Sequence, residues 1–371
     1  MVSKGGLSVA ATSLDNSAKG ILSSGADLEL SLAGTLNNSA AGLIDSQGTL
    51  GISAGAVDNR GGQIASQQAA SLGASSLDNR AGQLSSNAAL SLTLTGNLLN
   101  TQNAKLASAG PLLLEAAAID NQGGSLISQN LLQLTAASLN NAGGTLAARN
   151  GLDLLLSGAL NNSASGLIHS QQGTLEIQAQ SLNNQGGALS AQQDLSLGLN
   201  GLLDNRSGHI QSINGNLDLH QSGAVDNTGG VLSSLQGWLK LLSAGLFDND
   251  GGTTQAQALA ITAKGVDNRA GHLSALAGDS RITATGATFN NQGGGLYAQQ
   301  TLQVSAADFN NQGASQGLGG KVAGGRIDFG LSGALNNRFG LIESDSTLSL
   351  NASGFGNSGG SCVLWAPQAP P

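Results

Sequence analysis

The sequence predicts an all-β fold, a parallel β-helix or solenoid of about 17 coils with about 21 residues in each. Three observations predict it: a short motif that recurs along the whole chain, alternating apolar and polar residues between the copies, and 56 glycines beside only 2% aromatic residues. That glycine content disfavours long helices. Hydrophobic residues still make up 40% of the chain, enough to fill a long, narrow interior, so disorder is not expected.

The recurring motif is an apolar residue, then Asp or Asn, then Asn. Seventeen copies occur at a mean spacing of about 21 residues, and two of them replace the middle residue by Leu or Gly. The copies are 14–16, 36–38, 57–59, 77–79, 98–100, 119–121, 139–141, 160–162, 182–184, 203–205, 225–227, 247–249, 266–268, 289–291, 309–311, 335–337 and 355–357. Such regularity is typical of solenoids, in which each repeat packs only on its neighbours.

A glycine marks a corner in most copies. It follows the last Asn of the motif by three residues at Gly62, Gly82 and Gly124, and by four at Gly20 and Gly42. Because Asn and Gly adopt positive φ more readily than other residues, this spacing predicts a sharp turn that centres on the glycine.

Two short strands follow each corner. An aliphatic residue comes two positions after the glycine and a small residue two positions later, as at Ile64 and Ser66. A second segment alternates apolar and polar residues, as at 132–134 and 239–241. A period of two predicts strands with one face inward. Coils stacked at ~4.8 Å would give a rod roughly 80 Å long.

A single coil buries about five aliphatic side chains at ~1.5–3 kcal/mol each, while ordering its backbone costs ~1–2 kcal/mol per residue. One coil alone should therefore not fold, and stability should grow with the number of coils. The motif asparagines, such as Asn16, Asn38 and Asn59, are predicted to form a structural ladder in which each amide donates to the next along the axis.

The predicted organisation is a continuous array over residues 1–360, with a looser coil at 312–334, followed by an off-pattern, proline-rich tail at 361–371. The looser coil is expected because 26 residues separate Asn311 from Asn337 and include a glycine-rich run, which predicts a surface loop. Neither end carries an obvious amphipathic cap, and bare parallel edges promote aggregation. We therefore expect the chain to be a piece of a longer protein or an orphaned gene product.

A leucine-rich repeat has a similar period and also carries an Asn. That architecture usually returns through a helical or turn segment with its own apolar set, whereas here the return is rich in Ser, Gly and Gln and alternates like a strand. The parallel β-helix is the favoured interpretation.

The candidate chemistry is sparse. The four histidines include His209 and His272, which share one outward position three coils apart, ~14 Å, too far to share a metal ion. Asp-Asn-Arg copies, as at Asp58/Arg60, are interpreted as surface charge alternation rather than as a lyase-like pair. Calcium-binding nonapeptides, nucleophile elbows and phosphate loops are absent from the sequence. We predict a protein that is not an enzyme, without catalytic, cofactor-binding or metal-binding residues and with no cofactor.

The net charge and the absence of membrane-span and signal-peptide patterns narrow the kinds of partner that the sequence predicts. The net charge is −8 and the 14 basic residues are scattered, so nucleic acid is not an expected partner. No segment is apolar enough over a sufficient length for a membrane span, and the first residues lack the pattern of a signal peptide. The single cysteine, Cys362, excludes an internal disulfide.

The segments 57–66 and 77–86, together with 182–187, resemble the haemagglutinin repeat of filamentous haemagglutinins and contact-dependent growth inhibition proteins. The resemblance covers roughly residues 7–364. It implies a right-handed parallel β-helix, secreted or held at the outer membrane of a Gram-negative bacterium, with an outer-membrane two-partner-secretion transporter as partner. A host or neighbouring-cell receptor or glycan is a further implied partner.

Two functions remain open on the sequence. The first is a structural shaft segment of an adhesin or contact-dependent inhibition effector, which holds a tip or toxin away from the cell. The second is a β-helical protein that binds or degrades polysaccharide, which should show unequal loops with clustered acids and bases.

Overall fold

The computed structural model describes residues 1–365, and residues 366–371 of the predicted tail lie outside that range. The chain forms two compact units, Met1–Asn183 and a second that begins at Asn184. Each unit is a parallel β-solenoid, together about 17 coils some 21 residues apart, and the described residues contain no helix. The predicted fold class is confirmed, and the leucine-rich-repeat alternative is wrong because the return segments are strands.

Each coil contains three strand positions. The turn strand follows the corner glycine, the middle strand carries the apolar-polar alternation, and the closing strand leads into the motif asparagine. Every pairing within a unit is parallel and joins equivalent positions of successive coils, as between Gln63–Ser66 and Gln83–Ser86. Backbone hydrogen bonding therefore runs from coil to coil.

In the first unit the turn strands are Val2–Ser3, Ile21–Ser24, Leu43–Ser46, Gln63–Ser66, Gln83–Ser86, Lys105–Ser108, Ser125–Ser128, Thr145–Ala148 and Leu167–Ser170. The middle strands are Leu7–Ala11, Leu28–Leu32, Leu50–Ser53, Ala70–Ala74, Leu90–Leu94, Gly151–Leu156 and Thr174–Ala179. The closing strands are Leu14–Asp15, Thr35–Asn37, Ala56–Asp58, Leu77–Asp78, Asn97–Leu99, Ala159–Asn161 and Ser181–Asn183. The strands that span both middle and closing positions are Leu112–Asp120 and Leu131–Asn140.

In the second unit the turn strands are Ala188–Ala191, His209–Ser212, Val231–Ser234, Thr253–Ala256, His272–Ala275 and Ser361–Leu364. The middle strands are Leu195–Leu199, Leu217–Gln221, Trp238–Ser243, Ala258–Ala263 and Ser280–Ala284. The closing strands are Leu203–Asp204, Val225–Asp226, Leu246–Asp248, Gly265–Asp267, Phe289–Asn290, Phe309–Asn310, Ala334–Asn336 and Gly354–Gly356. The strands that span both turn and middle positions are Gly295–Ala306, Lys321–Leu331 and Leu341–Asn351.

The core of each unit is a set of in-register apolar columns. Ile64 and Leu84 are paired neighbours in the turn-strand column and are both buried. In the second unit Phe289 and Phe309 are neighbours in the closing-strand column and pack edge to face with their ring centroids 5.0 Å apart. Each such buried side chain contributes ~1.5–3 kcal/mol, and the column covers its faces above and below.

The small residue that ends many turn strands is a serine whose hydroxyl forms hydrogen bonds with the backbone. The hydroxyl of Ser66 is buried and has two carbonyl oxygens within hydrogen-bond distance of its single donor, that of Gly48 at 3.0 Å and that of Gln68 at 2.8 Å. These carbonyls belong to the bend between the turn and middle strands, where the chain leaves the regular ladder. The Gly48 carbonyl also accepts the backbone N–H of Gln68 at 3.2 Å, so the serine adds a second link between the bends of two successive coils.

The corner glycine is required for a reason other than the one predicted from the sequence. Positive φ occurs one residue earlier, at Gly61 (64°) and Ala81 (55°), and not at Gly62 or Gly82. A Cβ on Gly62 would lie 2.0 Å from the carbonyl oxygen of Asn38 in the preceding coil. The glycine is thus needed for close contact between successive corners, and the residue before it makes the turn.

One corner is longer than the others. Residues 312–320 form no strand, and Leu318 within this segment is 61% exposed. The following segment, Lys321–Leu331, rejoins the stack by pairing with Gly295–Ala306, and a register shift marks the bend. The insertion is therefore accommodated at the corner, and the strands of the coil keep their places.

Candidate functional site

The motif asparagines form a continuous buried ladder in each unit. Nδ2 of Asn59 donates to Oδ1 of Asn79 at 2.7 Å and to the carbonyl of Gln83 at 3.1 Å. The ladder runs from Asn16 to Asn162 in the first unit with donor–acceptor distances of 2.7–2.8 Å. It runs from Asn184 to Asn357 in the second unit at 2.6–2.8 Å. The predicted amide ladder is confirmed.

The Asp-Asn-Arg copies form compact charge pairs beside this ladder. Nη2 of Arg60 lies 2.6 Å from Oδ2 of Asp58, and its Nε lies 3.8 Å from Oδ2 of Asp78 in the next coil. Hydrogen bonding from Arg60 lowers the pKa of the Asp58 carboxyl. Arg60, Arg206 and Arg269 each pair with carboxylates of their own and an adjacent coil, whereas Arg80 pairs with Asp78 of its own coil. Half of the Arg60 side chain remains in water.

A column of carboxylates follows the closing strands of the second unit. Asp204, Asp226, Asp248 and Asp267 occupy equivalent positions of four successive coils. Arg206 lies 2.5 Å from Asp204 and 3.5 Å from Asp226.

Asp248 is the exception in this column. Arg269 lies 2.9 Å from Asp267 and 3.4 Å from Asp250, and no ion pair reaches Asp248 in the described part of the chain. Burial raises the pKa of Asp248, and the neighbouring carboxylates of Asp267, Asp226 and Asp250 add to the rise. Over residues 1–365 no group of three or more His, Cys, Asp or Glu side chains could hold a metal ion.

The histidines lie apart from one another. His209 and His272 both begin turn strands, and the register through Val231 and Thr253 places them three coils apart, as the sequence predicts. His220, on a middle strand, lies 2.8 Å from Oδ1 of Asp218.

The outward face of the middle strands in the second unit contains a trough that the sequence analysis missed. Trp238 and Lys240 line one wall, Ala258 and Ala260 of the next coil form the floor, and the coil after that supplies Asp279 and Arg281. The signal available in the sequence was a Trp at an outward position followed, one period later, by two alanines.

Among residues 1–365 no helix is long and apolar enough to cross a membrane. The stacked strands, in-register apolar columns and asparagine ladders define a repetitive β-solenoid in which each coil depends on its neighbours.

The model of the haemagglutinin repeat family matches residues 2–51, 32–102, 81–172, 155–251, 212–276 and 275–361. These overlapping segments cover nearly the entire sequence, and the chain belongs to the haemagglutinin repeat family. No curated protein and no solved structure matches it.

Proposed function

We propose that the chain is a non-catalytic structural shaft segment of a bacterial surface adhesin or contact-dependent inhibition effector, which presents a tip or toxin away from the cell. The observation that carries the proposal is the repetition of one coil plan through both units, with the longest corner confined to residues 312–320. Most of the sequence repeats one coil arrangement, which extends the stack. It leaves few irregular loops in which a catalytic site could form.

The proposed location is the cell surface or the medium, reached through a two-partner-secretion transporter of the outer membrane. A coil stabilised by its neighbour, an amide ladder and aliphatic columns needs no disulfide and no metal ion, which suits folding outside the cell. Cys362 is the single cysteine and is half-buried, so no disulfide within the chain contributes.

Export tests this proposal directly. The chain is fused behind the secretion domain of a two-partner-secretion protein and expressed with and without the matching transporter. We expect transporter-dependent appearance of protease-resistant protein outside the cell. Retention in the periplasm with the transporter present, or export in a protease-sensitive form, would contradict the proposed role.

The competing function is the degradation of polysaccharide. The acid–base pairs that would have to serve it, such as Asp58 with Arg60 and Asp204 with Arg206, are engaged with each other. We expect no new reducing ends and no unsaturated uronate absorbance when the purified chain is incubated with pectate, alginate and heparan sulfate. A signal that scales with protein concentration and survives repurification would refute the non-catalytic proposal.

A further inference from the structure

The trough in the second unit is built from three successive coils. Trp238 is paired with Ala258, and Lys240 with Ala260, which in turn is paired with Arg281. The walls are thus two coil spacings apart, ~9.6 Å, and the alanines between them keep the floor low. A ring placed midway would lie ~4.8 Å from the strand of each wall, so a modest displacement toward one wall brings it to the ~3.5–4.0 Å of van der Waals contact.

Trp238 supplies an aromatic surface where this fold otherwise has few. It is one of two tryptophans in the chain, is 42% exposed, and stands outward on a middle strand. Its backbone N–H donates to Oδ1 of Asn216 at 3.1 Å, and its strand pairs with both neighbouring coils. A flat, amphipathic ring on a rigid strand loses little conformational entropy when a ligand stacks on it.

Two cations stand at the trough, and each has a carboxylate nearby: Asp218 is paired with Lys240 in the preceding coil, and Asp279 lies two residues before Arg281. In the described part of the chain neither Lys240 nor Arg281 forms an ion pair or donates a side-chain hydrogen bond, and they stand on opposite walls in the column of Ala260. Asp279 has one oxygen occupied, because its Oδ1 accepts the N–H of Thr301 at 2.9 Å. Charge-assisted hydrogen bonds to an anion are available here from both sides.

We propose that this trough binds a sugar acid unit of an acidic polysaccharide. The pyranose ring stacks on the indole of Trp238, its carboxylate lies between Lys240 and Arg281, and a hydroxyl donates to the free oxygen of Asp279. The inference rests on the surface location in the proposed function, because only an exposed shaft meets such a polymer. It adds a ligand site to a segment otherwise proposed as mechanical.

A saccharide fits this trough better than a peptide strand does. The backbone groups of Trp238–Ser243 and Ala258–Ala263 are paired with neighbouring coils, so no free strand edge is available for strand addition. Specificity must come from side chains, and one ring face with two cations and one acceptor matches a hydroxylated ring that carries a carboxylate.

Fluorescence provides the test. Trp365→Phe leaves Trp238 as the single tryptophan of the chain, and this variant is titrated with tetragalacturonate, with maltotetraose as the neutral sugar and tetraglutamate as the anion without rings. We expect a saturable change with tetragalacturonate, at least tenfold tighter than with either control, and weakened by 0.5 M salt. Equal response to maltotetraose or to tetraglutamate, or no response, would overturn the proposal.

Variants locate the binding by calorimetry in the otherwise unchanged chain. Trp238→Ala and Arg281→Gln should each weaken tetragalacturonate at least tenfold. Ala260→Leu removes no binding group but fills the floor, and it should abolish binding without loss of thermal stability, because the corresponding position of the first unit carries the exposed Leu113. Unchanged affinity in all three variants would refute the site.

These results are separable from the test of the shaft. Failure of tetragalacturonate to bind a normally melting, normally exported chain refutes the ligand site alone. Failure of export with intact tetragalacturonate binding refutes the proposed function and leaves the trough standing.

Discussion

Nδ2 of Asn100 donates to Oδ1 of Asn121 at 2.7 Å, and both side chains are completely buried. Asn121 repeats the donation to Asn141 at 2.7 Å and also donates to the carbonyl of Gly124 at 3.2 Å. One amide thus serves three coils, because it accepts from the coil before and donates to the coil after.

The first prediction follows from this double role. Asn121→Ala leaves the Nδ2 of Asn100 and the Oδ1 of Asn141 each short of one partner at fully buried positions, and an unsatisfied buried group costs ~1–3 kcal/mol. We expect a loss of about 2–4 kcal/mol in the free energy of unfolding, measured by urea titration followed by circular dichroism. Asn87→Ala is the matched control, since Asn87 is exposed, and it should change stability by less than ~0.5 kcal/mol. Equal losses of unfolding free energy in the two variants would contradict a stabilising role for the ladder.

The second prediction separates two adjacent glycines. A Cβ on Gly124 would lie 1.8 Å from the carbonyl oxygen of Asn100, whereas one on Gly123, at a φ of 62°, meets nothing within 4 Å. We expect Gly124→Ala to cost more than ~3 kcal/mol, because the corners of two coils must separate. Gly123→Ala should cost about 1 kcal/mol, since alanine occupies the same place with positive φ at Ala81. Thermal melts of both variants provide the comparison, and a reversed order would mean that backbone strain controls the corner.

The third prediction concerns Asp248. Its raised pKa means that the folded state holds the proton more tightly than the unfolded chain, so its contribution to stability is lost as pH rises through the folded pKa. Asp248→Asn should therefore stabilise the second unit at pH 7, by less than ~0.5 kcal/mol because the group is partly solvated. The gain should vanish near pH 3, where the aspartate is protonated in both states.

Asp204→Asn is the control of opposite sign. Hydrogen bonding from Arg206 lowers the pKa of Asp204, so its stabilisation is present above the unfolded pKa and is lost as pH falls through the folded one. This variant should be less stable than wild type at pH 7, and the two urea midpoints should move in opposite directions. A shift of both in one direction would show that the carboxylate column acts only through total charge.

The fourth prediction concerns whole coils. Removal of residues 60–79 joins Asn59 to Arg80 and recreates the sequence Asp-Asn-Arg-Ala-Gly at the junction with every column in register. We expect a folded chain with a β-sheet spectrum and a small change in melting temperature, because stability in a solenoid is a sum over neighbours. Removal of residues 60–69 deletes half a coil, and we expect a lower melting temperature and loss of protease resistance. Equal tolerance of both deletions would be inconsistent with coil-by-coil packing.

The repeat was predictable from the sequence because each coil restates the same constraints. Ile64 and Leu84 reveal their shared column by spacing alone, and the recurrence of Asn59 and Asn79 indicates a ladder. The corner was located correctly at Gly62, but the reason was not, because contact with Asn38 of the preceding coil is invisible until coils are stacked.

The trough at Trp238 shows the other limit of sequence reasoning. It depends on residues that do not repeat, and on exact register between coils whose periods differ: 20 residues from Lys240 to Ala260 and 21 from Ala260 to Arg281. A description of the chain by its average repeat does not contain these differences between individual coils. Binding features on a solenoid therefore have to be sought in the deviations from its repeat.

The asparagine ladder also gives the stack a direction. Within each unit every ladder amide donates toward the coil that follows in the chain, as Asn59 does to Asn79. A finished coil therefore offers an unmet donor that the next twenty or so residues are equipped to accept. If the N-terminal coils fold first, each folded coil presents its strands and its free amide donor to the segment that follows. The chain would then order one coil at a time, through contacts only about one coil apart in the sequence.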